Sequence, residues 1–159
     1  EAVIKSYRFK EIVAIGDYFQ VDSPDAMIIK LEQELDESIP VVKFSKDEIK
    51  KDQSLAILQH PDGRSMEIGV GTLRDISDEG VLYYNDISTE AGSSGAAIFN
   101  SAGEIIGLHV RGGCSENDPT TANKGISLDL LSRKMPWFED VKEESKENSI
   151  AYRLSKIFL

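Results

Sequence analysis

Gly92-Ser93-Ser94-Gly95 places a serine between two glycines, directly ahead of the apolar run Ala96-Ala97-Ile98-Phe99. A serine hydroxyl is a weak nucleophile until a base takes its proton and nearby donors stabilise the oxyanion that forms. Glycine helps with the second condition, because it adopts backbone shapes that other residues reach only with strain. The amides of Gly92 and Ser94 can then converge on one point as an oxyanion hole, while Gly95 lets a substrate approach. The chemistry in view is acyl transfer at Ser94. The same tetrad also serves as a plain Gly-Ser turn between strands, and a G-x-S-G match arises by chance in roughly one chain of this size in twenty. The context has to decide.

Other reactive side chains are few. The chain has two histidines, His60 in the turn His60-Pro61-Asp62-Gly63 and His109 at the end of the apolar run Glu104 to His109. The order Asp25, His60, Ser94 is that of subtilisin-type enzymes, but those are α/β proteins. An α/β-hydrolase elbow would need a glycine at Ala96 and a helix after the serine. Cys114 is the only cysteine, so no internal disulfide can form. It lies in a Gly-Gly-Cys-Ser-Glu-Asn loop without a nearby base and reads as an incidental thiol. A zinc site would have to gather Cys114, His60, His109 and a carboxylate that lack ligand spacing. Neither a metal nor a cofactor is expected.

The elements that must position Ser94 are short strands punctuated by turns. Strands are expected over Val3 to Phe9 and Glu11 to Ile15, then Asp25 to Leu31 and Pro40 to Phe44. Ser45 to Gln53 is charged, lacks an apolar stripe, and reads as a connector. Ser54 to Gln59, Met66 to Leu73 and Val81 to Tyr84 follow, divided by the turns at His60 and at Ser77-Asp78-Glu79-Gly80. Two strands flank the Asn100-Ser101-Ala102-Gly103 turn. A last strand spans Gly125 to Leu128, and a short helix Asp129 to Met135 opens at Asp129 and stops before Pro136. Glu139 to Ser149 is a charged linker, and Ile150, Leu154, Ile157 and Phe158 have helix-like spacing. This strand density predicts an all-β barrel or sandwich, not βαβ units.

Composition narrows the class. At 159 residues, 40% hydrophobic and 29% charged, the chain can bury a core of its own. A net charge of −10 repels phosphate backbones, so nucleic acid is not an expected partner. No apolar run reaches membrane-spanning length, and no signal segment opens the chain, which begins at Glu1 within an expected strand. The compartment is undetermined, leaning intracellular, and the oligomeric state is not legible.

Five segments, in order, resemble the glutamyl-endopeptidase-like branch of the chymotrypsin-fold serine proteases, mostly bacterial and often free of disulfides. They are Asp25 to Leu31, Ile57 to Gly63, Asp86 to Asn100, Gly103 to His109 and Ala122 to Ile126. The resemblance implies a double β-barrel with an incomplete first barrel (1–44), a connector (45–53), a second barrel with its terminal helix (54–138), and a charged linker with a C-terminal helix (139–159). It implies Ser94 as nucleophile, the Gly92 and Ser94 amides as oxyanion hole, and Asp25 as the acid that orients a catalytic histidine. Thr89 and His109 match the positions that contact an acidic substrate side chain, with Arg111 adding positive potential. His109 alone would also read as a satisfied histidine on a half-buried strand. Val110 to Gly112 would be the edge that pairs with substrate backbone.

Two departures stand out. Ala96-Ala97 replace the serine or glycine and then proline usual after the tetrad in that family. More important, the family's catalytic histidine precedes the aspartate, and residues 1–24 contain none. The expectation is a serine endopeptidase acting on peptide or protein, possessed of little activity as residues 1–159 alone, with the histidine-bearing strands lying upstream. The alternative is an inactive relative that binds peptides in the same cleft.

Overall fold

The computed structural model describes residues 6–15, 26–35, 42–113, 121–135 and 138. Asp25, Cys114, the break at Gly16-Asp17 and the expected C-terminal helix lie outside the described residues. The nine strands are β1 (Phe9–Ile15), β2 (Met27–Leu31), β3 (Ser54–Gln59), β4 (Glu67–Thr72), β5 (Asp75–Ile76), β6 (Val81–Tyr84), β7 (Ala97–Phe99), β8 (Ile105–Arg111) and β9 (Asn123–Ser127). One helix, α1 (Leu128–Lys134), follows β9. The fold is all-β with a single short helix among the described residues.

β1 and β2 form a two-stranded antiparallel sheet; the other seven strands form one sheet in the order β4-β3-β7-β8-β9-β6-β5, every pairing antiparallel. The two ends of that order, β4 and β5, are separated in sequence by only Leu73 and Arg74. Leu73 exchanges backbone hydrogen bonds with the residues leading into β3 (2.9 Å to Gln53, 2.8 Å from Asp52), whereas Arg74 N–H donates to Tyr83 on β6 at 2.8 Å. One bent strand therefore leaves β3 and joins β6, and the sheet curls back on itself.

Period-2 alternation fills the inside of the curl. Leu55 and Ile57 on β3, Leu82 and Tyr84 on β6, and Ile98 on β7 point inward and meet Leu73, Ile87 and Ile106. A second cluster joins the sheet to the hairpin: Ala26 and Ile28 pack with Ile105, Leu108, Leu131, Met135 and Phe138. A two-stranded hairpin is at best marginal in water; this contact with β8 and the helix is what anchors β1–β2.

Several boundaries differ from the sequence reading. β1 runs unbroken from Phe9 to Ile15, with register shifts after Phe9 and Ile12 that accommodate its irregular polarity. No strand forms over the described part of Pro40 to Phe44; Phe44 makes a single parallel bridge to Ile105. The two-residue β5 is too short to carry a periodic signal. Helix α1 is capped by Ser127, not Asp129: the Ser127 hydroxyl accepts the Leu130 N–H at 3.1 Å. Asp129 instead sits in the first turn and pairs with Arg133, one turn on, at 3.0 Å.

Candidate active site

Ser94 lies between β6 and β7, in a loop held from both ends. Upstream, the Ser93 hydroxyl accepts the Glu90 N–H at 3.1 Å, and Ser93 N–H donates to Glu90 O at 3.0 Å. Downstream, Ala96 N–H donates to Ser93 O at 3.1 Å, and Gly95 N–H donates to His109 O at 2.7 Å. Ser93 is fully buried and Ser94 half-buried. The first serine is the structural pin of the loop, and the second is presented at its surface.

A neighbouring turn sets the direction of the Gly92 amide. The Ala91 carbonyl accepts the Asp62 N–H at 2.6 Å. In a trans peptide the N–H points opposite to the C=O, so the Gly92 N–H is turned away from the Asp62 turn. Gly92 has φ +91°, and a Cβ on it would lie 2.8 Å from the His60 carbonyl oxygen. Only glycine meets both conditions. Among the described residues, neither the Gly92 nor the Ser94 N–H donates to a protein acceptor. Arg64 adds a tie between the two loops by bridging Glu67 (2.9 Å) and Glu90 (3.0 Å).

The Ser94 hydroxyl donates to the Val110 carbonyl at 3.0 Å. Val110 sits at a register shift between His109 and Arg111, where β8 has run past the end of β7 and turns this carbonyl towards the serine. Neither histidine is bonded to Ser94. His60 is exposed, with its Nδ1 at 3.0 Å from the Arg64 carbonyl, and the His109 Nδ1 faces the Tyr84 phenol in the interior. Arg111 and Gly112 are exposed at the end of β8.

Thr89 and the Tyr84–His109 pair are brought to adjacent positions by Asn123, a residue that sequence reasoning does not single out. Asn123 is 1% exposed. Its Oδ1 accepts from Thr89 Oγ1 at 3.0 Å and from the Gly113 N–H at 3.1 Å, and its Nδ2 donates to the Ile87 carbonyl at 2.7 Å. Tyr84, the partner of His109, is the cross-strand neighbour of Asn123. Gly112 passes close to Thr89: a Cβ there would stand 3.2 Å from the Thr89 hydroxyl. The signal that could have found Asn123 and Tyr84 is strand alternation, which places both polar side chains at inward positions. A groove of about 780 Å³ along Phe44, Ile49, Ile76 and Ile106 contains none of the expected site residues.

Among the described residues no cluster of His, Cys, Asp and Glu could hold a metal ion, and no helix is long and apolar enough to cross a membrane.

A family model described as trypsin-like peptidase domain matches residues 6–108. No curated protein is detectably similar to the sequence. Solved structures are similar in fold. A Glu endopeptidase superposes with a TM-score of 0.66 at 18% identity, covering 87% of this chain and 65% of that one. The active form of the Rv3671c protease from M. tuberculosis gives 0.55 at 14%, covering 87% and 58%. The serine endoprotease from Yersinia pestis gives 0.54 at 16%, covering 82% and 53%. The chain thus spans about two thirds or less of the length of each.

Proposed function

The chain belongs to the trypsin-like peptidase domain family, a chymotrypsin-fold serine protease family, and from that footing we propose that it is the Ser94-bearing part of a serine endopeptidase. The observation that carries the proposal is the Ser94 loop: a half-buried hydroxyl flanked by two backbone N–H groups that no described protein group occupies. In this reading Ser94 Oγ attacks the scissile carbonyl and its proton passes to a histidine. The carbonyl oxygen, now negative, is held by the Gly92 and Ser94 amides. The amine leaves with the proton, and water hydrolyses the Ser94 ester by the same route in reverse.

Two parts lie beyond the described site. His60 and His109 are both engaged elsewhere, so the reading requires a third imidazole beside Ser94. It would displace the Val110 carbonyl as the partner of the hydroxyl. Asp25, just ahead of the buried Ala26, would orient that imidazole. Residues 1–159 alone should then cleave peptides poorly. Val110 to Gly112 would pair with substrate backbone, and Thr89 and His109 would line the pocket where the resemblance implies an acidic side chain.

The parked hydroxyl of Ser94 favours one second reading, a peptide-binding relative that does not turn over. Peptide cleavage by the full-length protein and its Ser94→Ala variant separates the two. Endopeptidase chemistry predicts a loss of at least about 10³-fold on substitution. Peptide binding without cleavage in the unsubstituted protein would favour the second reading.

A further inference from the structure

The 780 Å³ groove along Phe44, Ile49, Ile76 and Ile106 lies where the two interior clusters meet. Ile106 belongs to the cluster inside the curled sheet, and Ile49 and Ile76 pack on it. Phe44 packs on the cluster that joins the sheet to the hairpin. Phe44, Ile49 and Ile76 are only half-buried, so both cores stay open to solvent along this line. Clefts of about 300–1,000 Å³ bury a drug-sized molecule, which is the bulk of a few apolar side chains. The rim is acidic: Asp47, Glu48, Asp78 and Asp129 line it against Lys46. Asp129 is paired with Arg133 at 3.0 Å, whereas Asp47, Glu48 and Asp78 form no ion pair among the described residues. An occupant should therefore be apolar on one face and basic at its edge.

Residues 150–159, which lie outside the described residues, have that chemistry. Ile150, Leu154, Ile157 and Phe158 recur at i, i+4, i+7 and i+8, which is one helical stripe. The segment's charged side chains are Arg153 and Lys156, and at about 100° per residue both fall on the same flank of that stripe. It contains no Asp or Glu, in a chain whose net charge is −10. The tether also fits. Phe138, the last described residue, packs on Phe44 with ring centroids 5.4 Å apart, so the described chain ends beside the groove. The 12 residue steps from Phe138 to Ile150 span up to roughly 40 Å when extended. A domain of this size has a radius of gyration of roughly 15 Å. On such a tether a segment reaches an effective concentration on the order of millimolar, which favours it over a second copy in dilute solution. The exposed apolar face of Leu58, Ile68 and Val70 on β3 and β4 lacks the matching charge, because the acid in β4, Glu67, is already paired with Arg64.

We propose that residues 150–159 dock in this groove as an amphipathic helix of the same chain. The apolar stripe covers the floor, and Arg153 and Lys156 meet Asp47, Glu48 and Asp78. Docking closes both cores and clasps the connector, residues 45–53, to the turn between β5 and β6. None of this depends on chemistry at Ser94.

A carbodiimide, which joins an amine directly to a carboxylate with no spacer, tests the contact without any substitution. The amide forms as the reagent takes up the elements of water. In dilute full-length protein, Lys156 should couple to Asp47, Glu48 or Asp78 within the monomer, as mapped by peptide mass spectrometry. Hydrogen exchange supplies a second readout. Leu154→Asp combined with Ile157→Asp should speed exchange at least about 10-fold over residues 44–49 and 76–80, while leaving β3 and β4 unchanged. Arg153→Glu combined with Lys156→Glu should do the same, and adding Asp47→Lys and Glu48→Lys should restore protection. Coupling of Lys156 to none of the three acids, coupling to Glu67 in their place, or coupling confined to dimers overturns the proposal. Exchange that no variant alters overturns it as well.

Discussion

Ser93 and Ser94 are adjacent and chemically identical, yet the fold gives them opposite tasks. Burial and the bond to the Glu90 N–H make Ser93 a brace, while Ser94 keeps its hydroxyl at the surface. The tetrad itself was legible in the sequence, as were Thr89 and His109; what they bond to was not. Asn123 lies 34 residues from Thr89 in the chain, and only the return of β9 beside β6 brings them together. The roles of the two glycines are testable separately. Gly92→Ala should cost about 1–3 kcal/mol in denaturant unfolding, since it forces an alanine to positive φ and its Cβ against the His60 carbonyl. Gly112 has no positive φ, and a Cβ there, 3.2 Å from the Thr89 hydroxyl, needs only a small shift of that side chain. Gly112→Val should leave the unfolding midpoint close to the parent while weakening peptides with long side chains at least about 10-fold relative to those ending in alanine, because the new methyls stand over Thr89. Equal weakening of both peptides would contradict the placement of the subsite.

Among the elements, strand β3 shows how far alternation carries and where it stops. Its limits, Ser54 to Gln59, were read from the sequence without error because apolar and turn signals coincide there. β5 leaves no local signal, and Phe44 makes a single bridge where a strand is expected, because each is held by tertiary pairing and not by local pattern. The same alternation makes a paired prediction on neighbouring strands. Ile57 is fully buried and paired with Gly69, whereas Ile68, one position along, is 68% exposed and paired with Leu58. Ile57→Ala should destabilise by about 2–5 kcal/mol. Ile68→Thr should stay within about 0.5 kcal/mol of the parent. Urea unfolding of both variants checks the register directly, since a slip of β4 by one residue would turn Ile68 inward and make its substitution costly.

At the scale of the molecule, the curled sheet and the docked hairpin do different jobs. The sheet and its β6–β7 loop carry Ser94, the Gly92 and Ser94 amides and the Asn123 group. The hairpin is attached through Ala26 and Ile28 to β8 and the segment around α1, and its outer face leaves Phe9 and Ile12 exposed. In the proposed endopeptidase Ser94, and not its neighbour, is an activated nucleophile in the intact protein. The most direct test is to treat the full-length protein with a fluorophosphonate and map the adduct by peptide mass spectrometry. Attack by an activated serine forms the O–P bond as fluoride leaves and the hydroxyl proton passes to the base. Stoichiometric phosphonylation of Ser94 with Ser93 untouched is the expected result; a protein left unmodified, or labelled on another residue, would refute an activated Ser94.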